Sequence, residues 1–494
     1  MLKNIFITIL LICSVLVVWG QKSVKVKVSG NIITTDGVPA EFINIQLKNT
    51  FYGGTSDGKG YFEFMAPAGQ YTMIVQSIAA HRREFPVTIE EGKENHFADI
   101  EIRENVNQLE QVVVTGQFSP QSMRNSLYKV RTVNSEQIRQ KAPTSVQSLL
   151  NTEIGIRLSN DMALGETDFE LMGMSGNNVK ILLDGIPLID RGATKQSLSQ
   201  LDVNSIERVE IVEGPMSVVY GTDALAGVIN IITKKGDGYS EENTWRVGAR
   251  VQEESMGKEY DFFKDKGLHN ESIDLGFNHK SGLFVNGGYT RNNHGGWQGD
   301  LTGREKRWHP KDQALMNGMF GFQNRNMNVW YRLDFLDEKI FGPNNGSELQ
   351  PEKVSDKDFL TKRYTHQLQS DWKLDNRLDV HAALSYQDYK RRTRTTESDL
   401  STGEKWLSSA EASQDITQYK AWIARATVAW NIAPEFSVQP GVEYQWTQGE
   451  GGRIDGTPKV SDLAFFLSAE YKPWEWLSLR PGVRTFIVAD YDAP

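Results

Sequence analysis

The chain has almost no cysteine. Its single thiol, Cys13, stands in an apolar run at the N-terminus, so nothing after residue 20 can form a disulfide. A secreted fold of this size without disulfides must be held by sheet hydrogen bonds and burial. Long hydrophobic runs are equally scarce. Beyond Ile5–Val18 none approaches the ~20 apolar residues that a membrane-spanning helix requires. The mean hydropathy of −0.46 is that of a water-soluble protein, but a transmembrane barrel has the same signature because alternate residues face water. Positive charge is short too: 54 Lys and Arg against 63 Asp and Glu leave a net charge of −9, which argues against a nucleic-acid partner. Catalytic motifs are missing: the sequence has no Walker loop, zinc-protease pair, cysteine nucleophile or Gly-x-Ser-x-Gly elbow. The paired carboxylates Glu241-Glu242 and Glu253-Glu254 fall near strand ends, where solvation is their ordinary state. No enzymatic activity is expected, and no cofactor or resident metal is called for.

What is present is organised in segments. With 494 residues, several domains are expected. Residues 1–20 read as a secretory signal, with Lys3 at its start and Gly20 before a cut at Gln21; a membrane anchor is the alternative. Residues 21–104 read as a small Ig-like β-sandwich. Short alternating runs such as Val24–Val28, Phe42–Leu47, Tyr61–Phe64 and Tyr71–Gln76 are separated by turns at Asp36-Gly37, Asp57-Gly58 and Glu91-Gly92. Residues 105–116 form a linker in which Val112, Val113 and Val114 make a strand with no partner nearby, available to extend another protein's sheet edge. It can equally be the last strand of the sandwich or a plain linker. From about residue 236 the pattern changes to long strands of period two. In Asn326–Leu336, Met327, Val329, Tyr331, Leu333 and Phe335 form one face. In Tyr419–Ile432 the outward set is Trp422, Ala424, Ala426, Val428 and Trp430. An apolar outer face with a polar inner one is the pattern of an outer-membrane barrel.

The stretch Ser205–Lys235, with Leu182–Leu188 ahead of it, organises the rest. It combines Arg208 and Glu210 on a strand, Gly214-Pro215 and Ser217, Tyr220-Gly221, and Ala226–Lys234 with Asn230 at its centre. Together with Asp184-Gly185, these residues closely resemble the plug domain of TonB-dependent outer-membrane receptors. One departure is Met172-Gly173, where many members carry Arg-Gly. The run GYFEFMAPAGQYTMIV in the sandwich resembles the carboxypeptidase-regulatory-like domain that many Bacteroidetes receptors carry.

The resemblance implies a mainly β chain: the sandwich, an α+β plug over 117–235, and over 236–494 the N-terminal part of an antiparallel transmembrane β-barrel. About eleven strands can be counted, roughly half of a family barrel, so a truncated sequence is expected. Glu110, Gln111, Val112, Val113, Val114 and Thr115 become the TonB box, and the TonB energy-transducing complex becomes the partner. Polar plug loops would carry Asp161, Arg191 and Lys195 to a ligand. His294, His309, Trp297 and Trp308, with Arg304–Arg307, lie in long connections where a histidine can meet haem or aromatic and basic groups can hold an anionic siderophore. His269 is expected in such a loop, and His381 on the lumen face. Tight turns, as at Ser281-Gly282 and Asp375-Asn376, alternate with long connections, as at 255–269 and 391–414. That alternation places the tight turns and the sandwich in the periplasm. The implied function is outer-membrane import of a scarce solute: a ferric siderophore, with haem or cobalamin next. A non-transporting surface receptor or adhesin, or an inactive fragment, is the alternative.

Overall fold

The computed structural model describes residues 25–489 apart from 35–36, 78–79, 103–111, 114, 117–120, 123–126, 162–165, 190–195, 222, 237–241, 434, 452–453, 455 and 475. The expected signal with Cys13, the box residues Glu110, Gln111 and Val114, and the loop residues Arg191 and Lys195 lie outside the described residues.

Two compact units part between Val112 and Val113, residues 122–124 belonging with the first. The first contains β1 (Lys25–Thr34), β2 (Asn44–Leu47), β3 (Gly53–Thr55), β4 (Tyr61–Pro67), β5 (Gly69–Ser77), β6 (Ala80–Ile89) and β7 (Asn95–Ile102). These strands form two sheets, ordered β4-β1-β7 and β3-β2-β5-β6. The sequence pattern explains why they pack. Phe62, Phe64 and Ala66 of β4 alternate inward to join Val28, Ile32, Ile45, Leu47, Met73 and Val75 in one apolar core. At about 1.5–3 kcal/mol for each large side chain buried, such a core can hold a domain without disulfides. Strand β3 was not anticipated, because Gly53-Gly54 carries no alternation.

Val112–Val113 (β8) was expected to lack a partner nearby in sequence, but it has one: it pairs with Gln121–Ser122 (β9) in a two-stranded sheet. An α+β segment follows with β10 (Lys129–Asn134), α1 (Ser135–Lys141), α2 (Val146–Leu150), β11 (Ile156–Asp161), β12 (Glu166–Leu171), β13 (Met174–Ser175), β14 (Val179–Leu183), β15 (Ile186–Pro187), β16 (Ile206–Glu213), α3 (Ser217–Tyr220) and β17 (Gly227–Thr233). Five of these strands form a sheet of order β10-β16-β17-β14-β15. Alternation along β16 sends Val209 and Ile211 into a core with Ile138, Val146 and Leu149 of the helices. Val212 turns the other way, toward Val130, Leu182, Tyr220 and Val228. Every residue of β17 is buried, as expected of a strand covered on both faces.

Asn134 caps α1 with Gln137 in a capping box, and α2 is capped by Ser145 closing on Ser148, although Thr144-x-x-Gln147 offers the same spacing one residue earlier. The later start lets Val146, Leu149 and Leu150 face inward together. Asp161 does not stand in a loop: it ends β11 paired with Glu166, at the tip of a hairpin. Met172 and Gly173 make the turn between β12 and β13.

The remainder is one antiparallel sheet of β18 (Thr244–Glu254), β19 (Leu268–Asn278), β20 (Leu283–His294), β21 (Lys311–Gln323), β22 (Met327–Gly342), β23 (Lys353–Lys373), β24 (Leu378–Asp399), β25 (Lys405–Leu407), β26 (Ile416–Ala433), β27 (Phe436–Glu450), β28 (Lys459–Trp474), β29 (Leu477–Leu479) and β30 (Gly482–Ala489). Strand β25 folds back on β24, while β29 and β30 both pair with β28. The strands meander in sequence order, with the tight joins where the pattern placed them; the long connections are shorter than expected, since β24 runs on through Asp399 into the stretch 391–414. A further long connection, 451–458, joins β27 and β28. On β26, Ala421, Ile423, Arg425, Thr427 and Ala429 are buried, whereas Trp422 and Trp430 on the other face are exposed, as expected. His269 corrects its assignment. It lies in β19 and is 1% exposed, with Nδ1 2.7 Å from Glu253 Oε2. The register sets it opposite Glu253, so that carboxylate is not merely solvated.

Candidate functional site: a buried clamp on Thr115

Glu210 and Asn230 sit on the side of the five-stranded sheet that faces away from α1 and α2, and both are almost wholly buried. Buried polar groups need partners, and these two find theirs in Thr115. The Thr115 amide and hydroxyl both donate to Glu210 Oε2, at 2.8 and 2.5 Å. Asn230 Nδ2 donates to Thr115 Oγ1 at 2.9 Å, and Asn230 Oδ1 accepts from the Gly185 amide at 2.9 Å. Arg208 Nε completes the group by donating to Glu210 Oε1 at 2.9 Å. The Asp184-Gly185 pair, at φ of 50° and 84°, is the two-residue turn between β14 and β15. The Asp184 carboxylate accepts from the Thr233 amide and hydroxyl at 3.1 and 2.7 Å. The signature residues thus fix both the turn and the end of the expected TonB box.

The long-stranded sheet closes the clamp from its inner face. Arg480 Nη1, between β29 and β30, donates to the Gly116 carbonyl at 2.6 Å. The Gly116 amide in turn donates to the Tyr220 hydroxyl at 3.3 Å, a phenol whose pKa burial pushes up. Arg425 stacks over the Tyr220 ring at 5.1 Å and pairs with Glu443 at 2.7 Å. Arg484 reaches the same Glu443 at 2.7 Å and donates to the Val219 carbonyl of α3 at 3.3 Å. Glu443 therefore holds two guanidiniums that each grip α3. Gly214 and Gly221, both at positive φ, bracket that helix, with Pro215 at its approach.

Elsewhere the inner face supplies side chains to irregular backbone. Gln369 Nε2 donates to the Asp184 carbonyl at 2.9 Å and Gln387 Nε2 to the Pro187 carbonyl at 2.7 Å. Arg363 donates to the Ile189 carbonyl at 3.2 Å. Thr290 and Asn317 donate to Asp202, a carboxyl whose pKa burial raises, at 2.9 and 3.1 Å. A cavity of about 540 Å³ remains between the sheets, lined by Arg208, Tyr220, Lys235, Asp371 and His381 among others. His381 therefore faces inward as expected, with Nδ1 2.6 Å from Asp371.

The candidates expected in loops divide, and His294 is not in a loop: it ends β20, paired with Leu268 and Lys311. His294, Trp297 and Trp308 come together: Trp297 and Trp308 pair across an isolated bridge with rings edge to face at 6.1 Å, and His294 lies 5.7 Å from the Trp308 ring. His309 packs near Gly342, where an added Cβ would stand 3.0 Å from its ring. Arg304 is engaged by Asp356 at 2.6 Å and Arg307 by Asp300 at 2.6 Å, so both arginines of the basic run are already paired. Arg425, Glu443, Arg480 and Arg484 were not anticipated. An arginine within the apolar run Trp422–Trp430 was their one visible signal.

Residues 122–228 match the TonB-dependent Receptor Plug Domain family, and residues 28–114 match the CarboxypepD_reg-like domain family. A curated relative, the vitamin B12 transporter BtuB of Vibrio vulnificus, is 32% identical over 139 residues, 28% of this chain and 23% of that protein. In fold the chain is similar to a variant of the ferric enterobactin receptor PfeA of Pseudomonas aeruginosa, with TM-score 0.54 and 16% identity over 76% of this chain and 59% of that one. It is similar likewise to the siderophore receptor PiuA of Acinetobacter baumannii, with TM-score 0.51 and 11% identity over 77% of this chain and 64% of that one. The chain thus spans less than two thirds of these relatives' length.

Proposed function

Starting from a chain that belongs to the TonB-dependent receptors by its plug and regulatory-like domains, we propose that it imports a scarce solute across the outer membrane. The cargo is a ferric siderophore, with cobalamin and haem as the next candidates. One observation carries the reading. Thr115 and Gly116, directly after Val112–Val113, are hydrogen-bonded both to the signature face and to Arg480 of the surrounding sheet. A pull on a strand added to Val112–Val113 would act first on that clamp, and through Tyr220, Arg425 and Glu443 on the seating of α3. Transport so driven asks no hydrolytic residue of this chain. In this reading the tight turns and the sandwich are periplasmic, the long connections meet the ligand, and the TonB complex is the partner.

The cargo is tested by uptake. Cells lacking the locus and complemented with the full gene are given iron-siderophore, haem or cobalamin, each labelled. Restored uptake of iron-siderophore alone supports the reading; restoration of cobalamin alone shifts the cargo toward that of the curated relative. No restoration of any of the three supports the surface receptor or inactive fragment.

A further inference from the structure

We propose that β9 is part of the partner-binding element: Gln121–Ser122 splint Val112–Val113 as an extended strand whose other edge is left to receive a strand of the energy-transducing partner. The inference rests on the TonB reading above and adds to it two residues that lie past the expected box. Seven residues separate β8 from β9, too few for the crossover that parallel strands need, so the pair is antiparallel. The antiparallel register that pairs both residues of each strand sets Val112 opposite Ser122 and Val113 opposite Gln121. Only alternate residues exchange hydrogen bonds across such a ladder. One valine therefore turns its amide and carbonyl to β9, and the other turns them to the opposite edge. Among the described residues no third strand joins the pair, so that edge is open.

An isolated two-stranded hairpin is marginal in water, and a ladder of two residues needs support from elsewhere. That support comes at its tip. Thr115 and Gly116, which lie between the two strands in sequence, are held by Glu210, Asn230 and Arg480 through bonds of 2.5 to 2.9 Å. A fixed tip removes much of the loop-closure entropy that would otherwise oppose the pair. Pro120 has no amide to add to the ladder, which keeps it short. Strand addition gains its affinity from main-chain hydrogen bonds and loses part of it to ordering the added segment. Because β8 is extended before the partner arrives, that ordering belongs to folding rather than to association. A splint of this kind works through its backbone. The side chains at 121 and 122 are then free to vary, whereas their amides are not.

The test is titration of the full chain in detergent with the purified periplasmic domain of the TonB partner, whose sheet edge supplies the incoming strand. Gln121→Pro/Ser122→Pro removes both amides of β9 and should weaken binding about tenfold, as the loss of one or two ordered residues implies. Gln121→Ala/Ser122→Ala keeps both amides and should bind as the parent does. Equal or tighter binding by the proline pair would overturn the splint, as would a loss in the alanine pair as large as in the proline pair. Absence of binding in the parent would overturn both the splint and the reading beneath it. Where the proline pair fails to fold, Val112→Cys/Ser122→Cys takes its place, since opposed Cα atoms roughly 4.5–5.5 Å apart lie within disulfide range. Its oxidised form should bind at least as tightly as its reduced form, and weaker binding on oxidation would overturn the proposal. Uptake by the oxidised form tests the clamp separately. The bridge carries a pull from residue 112 straight to 122, past Thr115, so uptake should stop and return on reduction. Uptake that continues in the oxidised form counts against the clamp; the binding titration alone decides the splint.

Discussion

Thr115 is the residue on which most of the clamp converges, and its hydroxyl both donates to Glu210 and accepts from Asn230. Thr115→Val keeps the shape but leaves the buried Asn230 amide without that acceptor and Glu210 with one donor fewer. The expected cost is about 1–3 kcal/mol of local stability. Hydrogen exchange at the Thr115 and Gly116 amides should quicken accordingly, with global unfolding little changed. Combining Thr115→Val with Asn230→Ala should cost less than the sum of the two, because both remove the same bond. Little of this was legible in advance. Asp184, Arg208, Gly214, Tyr220 and Asn230 stand out because their types and spacing form a pattern, but the Thr115 bond to Glu210 joins residues 95 apart. Nothing local to Thr115 announces it. His269 was misplaced for the same reason: only the register of β18 and β19 sets it against Glu253.

At the level of elements, the interruption between β29 and β30 matters because it presents Arg480 to Gly116. Arg480→Ala should free the Gly116 carbonyl and raise thiol labelling of a Val113→Cys reporter by about tenfold, as loss of a charge-assisted hydrogen bond implies. Arg480→Lys should restore part of the protection, because an ammonium can still donate to the carbonyl but cannot spread over Tyr128, whose ring lies 5.3 Å from the guanidinium. The long strands were readable from their period of two, since a strand with one apolar and one polar side must alternate. Helix α2 was readable only to within one residue, because Thr144 and Ser145 carry equivalent hydroxyls and the choice falls to the apolar residues behind them. Strand β25 was invisible: Lys405–Leu407 is exposed throughout and owes its form to pairing with β24.

For the whole molecule, the sheet carries apolar side chains outward and hydrogen-bonding side chains inward. Ala382→Arg, midway on the outward face between the rows of Trp430 and Trp422, should destabilise the vesicle-inserted protein by about 2–4 kcal/mol in a denaturant titration. The inward Gln387→Leu should instead leave insertion unchanged and loosen the contact at Pro187 and Ile189. The short alternating strands ahead of the signature stretch and the long ones after it were plain in the sequence. The fit of the signature domain against the sheet was not, because it depends on inward glutamines and arginines that look unremarkable on their own strands. The central claim is that work reaches this fit through a strand added at Val112–Val113. It is tested most directly by Val113→Pro, which removes the amide that strand addition needs. Ligand binding to cells and uptake into them are measured side by side. The account predicts normal binding with uptake abolished; uptake equal to that of the parent would contradict it.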